Sequence, residues 1–211
     1  MRRHRYAALL ALITAATLAS GCIALIGAGG AAAVSALEDR RTSGTQIEDS
    51  GIEERAQGRI KERFGERAHV NVTAYNRTVL LTGEAWDETT RAEIEKIVAA
   101  VPNVRSVTNE IQVGSLSSSG SRTNDTALTA KVKGRLLNVK GLNPYHVKVV
   151  TEAGVVYLLG LVTEPEAEAA ADVARTTGGV RKVVKVFEYC KSTDELCQPP
   201  PPPPASRKPG G

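Results

Sequence analysis

Between residues 49 and 113 the apolar positions switch between two periods. Ile52, Ala56, Ile60 and Phe64 recur at helical spacing, with Asp49 or Ser50 in front of them as the expected N-cap. Val70 and Val72, then Val79 and Leu81, alternate with other residues, which predicts two half-buried strands around a turn at Asn76-Arg77. Helical period returns over Asp87–Val101 through Ala92, Ile94, Ile97 and Val98, and Pro102 closes it. Val104–Val113 reads as a third strand. The order is α-β-β-α-β.

The pattern then repeats. Residues 49–113 lie on 125–189 with one small slip: Asp49, Ile52, Ala56 and Ile60 fall on Asp125, Leu128, Val132 and Leu136. His69-Val70-x-Val72 falls on His146-Val147-x-Val149, and Val79-x-Leu81-x-Gly83 on Val156-x-Leu158-x-Gly160. Val104-Arg105-x-Val107 matches Val180-Arg181-x-Val183. An internal duplication of this kind predicts two copies of one unit. Each is expected to be α+β, a three-stranded mixed sheet covered on one face by two helices. The expected domains are 46–114 and 124–190, joined by a Ser/Gly linker at 115–123 and followed by a Pro-rich, disordered tail at 191–211. Pro199–Pro204 predicts a stiff polyproline rod, a ligand or a spacer.

The N-terminus reads as an export signal. Met1–Arg5 is cationic, and Ala7–Ala19 is an apolar stretch too short to span a bilayer. It ends in Leu18-Ala19-Ser20-Gly21-Cys22, which resembles a lipobox with Ala19 where Leu is usual. The expectation is a signal peptide at 1–21 and a lipidated tether at 22–45, with Cys22 as the lipidation site. The alternative is a plain membrane anchor, because Ile23–Leu37 is also weakly apolar. With Cys22 lipidated, Cys190 and Cys197 remain as an even pair in an exported chain. A bridge there would add about 2–3 kcal/mol by loop closure.

Charge alters the first impression of a basic chain. The 211 residues carry a formal charge of +4, but Arg2, Arg3, Arg5, Arg207 and Lys208 lie in the signal and the tail. Residues 38–197 hold 22 basic and 23 acidic groups. With aromatic residues at only 4%, base stacking has little to work with, and nucleic acid is not an expected partner. The two copies differ: 46–114 has 9 basic and 12 acidic groups, 124–191 has 10 and 7. The excess in the second copy gathers on its first helix, at Lys131, Lys133 and Arg135 with Lys140 beyond. Leu128, Val132 and Leu136 form one stripe, while Leu137 falls on another and can face outward among the cations. Such a helix suits an anionic bilayer surface, where each basic group is worth about 1 kcal/mol. The plainer alternative is a solvated helix with cations on its outer face.

The α-β-β-α-β unit with a glycine at a strand end, here Gly83 and Gly160, resembles the BON domain. The strings Asp39-Arg40-Arg41-Thr42-Ser43-Gly44-Thr45-Gln46 and Asn71-Val72-Thr73-Ala74-Tyr75 carry the likeness. Gly160-Leu161-Val162-Thr163-Glu164, with Glu166-Ala167 and Ala169-Ala170-Ala171-Asp172, carries it further. Lipobox plus two such units is similar to the BON-domain outer-membrane lipoproteins. That resemblance implies a periplasm-facing outer-membrane lipoprotein whose second domain binds anionic phospholipid and supports envelope integrity, also at division. Ile23 after the lipidated cysteine agrees with outer-membrane delivery. The implied lipid-binding residues are Ala127, Leu128, Lys131, Lys133, Arg135, Leu137 and Lys140. Ala127 stands where a family tryptophan is found, which implies weaker or more electrostatic binding. The other reading is a periplasmic adaptor that grips an envelope-assembly or division protein.

Chemistry beyond binding is not expected. No GxSxG elbow or paired base accompanies the linker serines, so the chain reads as a non-enzyme without cofactor. His69 and His146 occupy equivalent positions in separate copies and read as structural or surface residues, not a metal pair. Gly83 and Gly160 are expected to serve close backbone approach or a bend at a strand end. Trp86 is expected to pack at a helix start, beside Glu84, Asp87 and Glu88 near a helix N-terminus.

Overall fold

A computed structural model describes residues 39–114, 119–191, 193–194 and 197. The expected signal segment, Cys22 with most of the expected tether, residues 115–118 and the proline run lie outside the described residues. Among those described, no helix is long and apolar enough to cross a membrane.

The first domain comprises α1 (Ser43–Phe64), β1 (Ala68–Tyr75), β2 (Thr78–Ala85), α2 (Glu88–Ala99), β3 (Ser106–Asn109) and β4 (Gln112–Val113). The second comprises α3 (Ser119–Leu136), β5 (Val147–Glu152), β6 (Val155–Val162), α4 (Glu164–Arg175) and β7 (Lys182–Tyr189). In each, the middle strand of the sheet pairs antiparallel with the strand before it and parallel with the strand after the helix. The expected third strand of the first copy is broken at Glu110–Ile111 into β3 and β4, both paired to β2.

One face of each sheet meets its helices as expected. Ile52, Ala56, Ile60 and Phe64 pack with Val70, Ala74, Val79, Leu81, Ile94 and Val98. Val132 and Leu136 pack with Val149, Val156, Leu158, Ala167, Ala170 and Ala174. The opposite faces are also buried, against each other. Tyr75 and Leu80 of the first sheet share a core with Val155, Tyr157, Leu159 and Leu161 of the second. The sequence signal for this is β6 itself: VVYLLGLV is apolar on both faces, which a strand covered on one side does not require. Polar bonds cross the same interface, from Asn71 Nδ2 to Glu152 Oε2 (2.8 Å), from Lys148 Nζ to Glu53 Oε1 (3.0 Å), and from Arg105 to Glu188. The two ion pairs run in opposite senses, one acid and one base from each domain, so they leave the charge difference between the domains unchanged.

Three local expectations are corrected. The first helix begins at Ser43, capped by Thr42, whose Oγ1 accepts from the Thr45 N–H (3.1 Å). Asp49 is therefore not an N-cap but a buried residue inside α1. Its carboxylate accepts from the N–H groups of Asn76 (2.8 Å) and Arg77 (2.7 Å), both at positive φ in the β1–β2 turn. Asp125 does the same for Ala153 (2.9 Å) and Gly154 (2.8 Å) in the β5–β6 turn. The duplicated aspartate is a brace for a strained hairpin, which explains why it recurs. Finally, the linker is shorter than its serine content suggests, because α3 already starts at Ser119.

Gly83 and Gly160 lie where β2 and β6 cross the start of the preceding strand. A Cβ on Gly83, at φ +109°, would sit 2.1 Å from the His69 carbonyl oxygen; on Gly160 it would sit 2.3 Å from that of His146.

Candidate functional site

The cationic helix α3 is positioned by its buried stripe. Val132 and Leu136 sink into the core, and so does Leu128, only 3% exposed, against Gly179. Leu128 is thus a packing residue and not a lipid contact, because the i, i+4, i+8 stripe that orients the helix must face the sheet. Ala127, Lys131, Lys133, Arg135 and Lys140 are exposed, and Leu137 is 65% exposed just past the end of the helix.

The cations divide into two groups. Lys131 Nζ donates to the Gly178 carbonyl (3.2 Å), while Arg135 donates to the Val173 carbonyl (2.9 Å) and the Thr177 hydroxyl (2.6 Å). Both therefore sit against the C-terminal end of α4, where carbonyls lack helical partners and the dipole favours positive charge. Their first duty is to join two helices, which spacing on α3 alone did not reveal. Lys133 and Lys140 are different: among the described residues neither is bonded to a carbonyl, a hydroxyl or a carboxylate. With Leu137 they form an open cationic and apolar corner at the C-terminal end of α3.

Beside this corner the chain makes a second turn. Asn143 caps the 3-10 turn Pro144–His146, which presents an exposed Tyr145 and places His146 Nδ1 3.6 Å from Glu166 Oε1. Glu166, in the first turn of α4, is held by Arg40 from the N-terminal segment. Arg40 Nη1 donates to Glu166 Oε2 (2.7 Å) and the Leu161 carbonyl (2.9 Å), and Nη2 donates to Glu166 Oε1 (3.0 Å). Thr163 adds its N–H (2.8 Å) and hydroxyl (2.9 Å) to the same carboxylate. Burial alone would raise the carboxyl, but Arg40 and Thr163 prevail and hold it down at about 2. Arg41 turns the other way, onto Asp49 Oδ2 (2.8 Å) and over the Tyr75 ring. The Arg40-Arg41 pair thus straps the two domains together.

Cys190 and Cys197 are joined in a disulfide, with Cα atoms 6.3 Å apart, and Cys197 is buried in the core between the sheets. His69 lies in the first domain, away from the Glu166 cluster. Trp86 is corrected: it is 65% exposed and packs no helix start, because Asp87, one residue on, caps α2 instead. Val113, paired beside Ala85, is exposed near it. A cleft of about 720 Å³ opens between the domains here, with Gln112, Val113, Tyr157, Arg181 and Lys182 on its walls.

Comparison with known proteins agrees with the duplicated fold. Residues 48–115 and 124–191 each match the BON domain. The chain is 36% identical over 183 residues to Outer membrane lipoprotein DolP of Haemophilus influenzae, covering 85% of this chain and 95% of that one. It is 37% identical to the 21 kDa hemolysin of Actinobacillus pleuropneumoniae, over 72% of this chain and 79% of the relative. Osmotically-inducible protein Y of Escherichia coli is 26% identical, over 66% and 72%.

Proposed function

This chain belongs to the BON-domain family, and from that premise we propose that it is a DolP-like outer-membrane lipoprotein whose second domain binds anionic phospholipid. Cys22 anchors it, the folded domains face the periplasm, and the contact supports outer-membrane integrity, including at the division site. The observation that carries this reading is the open corner at the end of α3. Leu137, 65% exposed, lies in sequence between the exposed Lys133 and Lys140, which pair with no carboxylate among the described residues. An aliphatic side chain enters the headgroup boundary while lysine stems lie along it with their ammonium groups wet. Because Ala127 offers no aromatic anchor, the contact is largely electrostatic. Tethering through Cys22 raises the local concentration of so weak a site.

Vesicle co-sedimentation of the unlipidated chain across a salt series tests this. Binding should fall with salt, and Lys133→Glu with Lys140→Glu should weaken it by about tenfold or more, from about 1 kcal/mol per lost cation and the added repulsion. Binding that ignores both salt and these substitutions would refute the reading. One observation favours the adaptor reading instead: exposed Trp86 and Val113 beside the interdomain cleft are features of a protein contact.

A further inference from the structure

We infer that the chain pairs with a second copy of itself across the cleft between its domains, each copy inserting Trp86 beside the other's Arg181 and Lys182. This contact shares no residue with the α3 corner and is independent of the lipid-binding reading. It assigns the exposed Trp86 and Val113 to a second copy instead of a foreign protein.

The seam between the domains is closed unevenly. Elsewhere along it, bonds cross from one domain to the other: Asn71 to Glu152, Lys148 to Glu53, and Arg105 to Glu188. At the cleft the crossing bonds stop. Glu88 and Glu110 line the first domain's side and Arg181 and Lys182 the second's, yet among the described residues no ion pair spans the gap of about 720 Å³. The Glu88 carboxylate turns to Arg91 of its own helix (3.0 Å), and the Arg181 stem lies against Gly154. Arg181 and Lys182 are exposed, and among the described residues neither pairs with a carboxylate.

Trp86 stands on the face that looks across this gap. Its N–H donates to the Arg67 carbonyl (3.3 Å), which carries the β1–β2 pairing one residue past β2. Counted by twos from Leu80, which is buried against the second domain, Trp86 falls on the same face as Thr82 and Glu84. The indole is 65% exposed, and Asp87 and Glu88 after it are exposed too. Trp86-Asp87-Glu88 is therefore an apolar plug with an acidic base. The cleft is its complement: Val113, Val155 and Tyr157 are on its walls beside the two unpaired cations.

Charge selects the occupant. A wholly acidic partner would meet Asp87 and Glu88, and a wholly basic one would meet Arg181 and Lys182. A second copy turned about a two-fold axis sets acid against base and base against acid together. The buried indole supplies the anchor at the centre of such a contact. Its small size makes a weak dimer, dissociating at about 10–100 μM.

Sedimentation of the unlipidated chain over a concentration series tests this. The mass should rise from one chain toward two, and Trp86→Ala should weaken association by about tenfold or more. Arg181→Glu with Lys182→Glu should remove the dimer. So should Asp87→Asn with Glu88→Lys, in which asparagine keeps the α2 cap. Mixing these two charge variants should restore a dimer containing one chain of each, because every plug then meets an opposite socket. A misfolded variant would not be rescued in this way. The mass of one chain at every concentration would overturn the inference. So would a dimer that ignores the charge variants, or charge variants that stay apart when mixed.

Discussion

Removing the Glu166 carboxylate should make the folded pair of domains less sensitive to acid over a defined range. Arg40 and Glu166 have side chains only 8% and 11% exposed, and their bond is bidentate. The carboxyl moves from its ordinary 4.5 down to about 2, against burial that pushes the other way. A carboxyl depressed by folding contributes stability above its unfolded value and loses it as pH falls toward the folded one. The full difference would amount to about 3 kcal/mol, and partial solvent access reduces it to about 2 kcal/mol. Urea denaturation at pH 6, 4.5, 3 and 2 measures it. The native chain should lose that increment between pH 5 and pH 2 beyond the loss shown by Glu166→Gln, which keeps the shape but cannot ionise. Arg40→Met should cost more at neutral pH, about 3 kcal/mol, because it strands a buried carboxylate. Parallel acid profiles for the native chain and Glu166→Gln would refute the argument.

Two further predictions concern the duplicated features. Gly160→Ala and Gly83→Ala should each cost more than about 2 kcal/mol in chemical denaturation, since backbone oxygens occupy the space of the new methyl. Gly134→Ala, inside α3 with nothing within 4 Å, should gain about 0.5–1 kcal/mol, and equal effects at the three positions would show the clash argument wrong. Asp125→Asn should raise amide exchange at Ala153 and Gly154 by at least tenfold, from loss of about 1.5 kcal/mol of charge-assisted bonding. Unchanged exchange there would remove the brace from the account.

Much of the architecture was legible in the sequence because its causes are local. The 3.6 and 2.0 periods, the turn at Asn76-Arg77 and the one-slip duplication give the element order and the helix-facing cores. What was not legible depends on distant partners. Asp49 looks like an N-cap because a short acid before an apolar stripe usually is one; only the folded hairpin reveals the two N–H groups it serves. Lys131 and Arg135 look like free surface charge until α4 arrives with its bare carbonyls. Trp86 looks like packing because an indole seldom stays in water, and the cap at Asp87 is what leaves it outside. The back-to-back sheets were readable in part: β6 is too apolar for one buried face, while β2, TVLLTGEA, is mixed on that side and conceals its half of the interface.

The account turns on where anionic lipid touches this protein. An NMR titration of the unlipidated chain with anionic phospholipid micelles locates that contact residue by residue. The account predicts shifts and broadening at Lys133, Leu137, Lys140 and Tyr145, with Ala127 and Trp86 little changed. Perturbation centred on Trp86 and Val113, or none on the second domain, would contradict it.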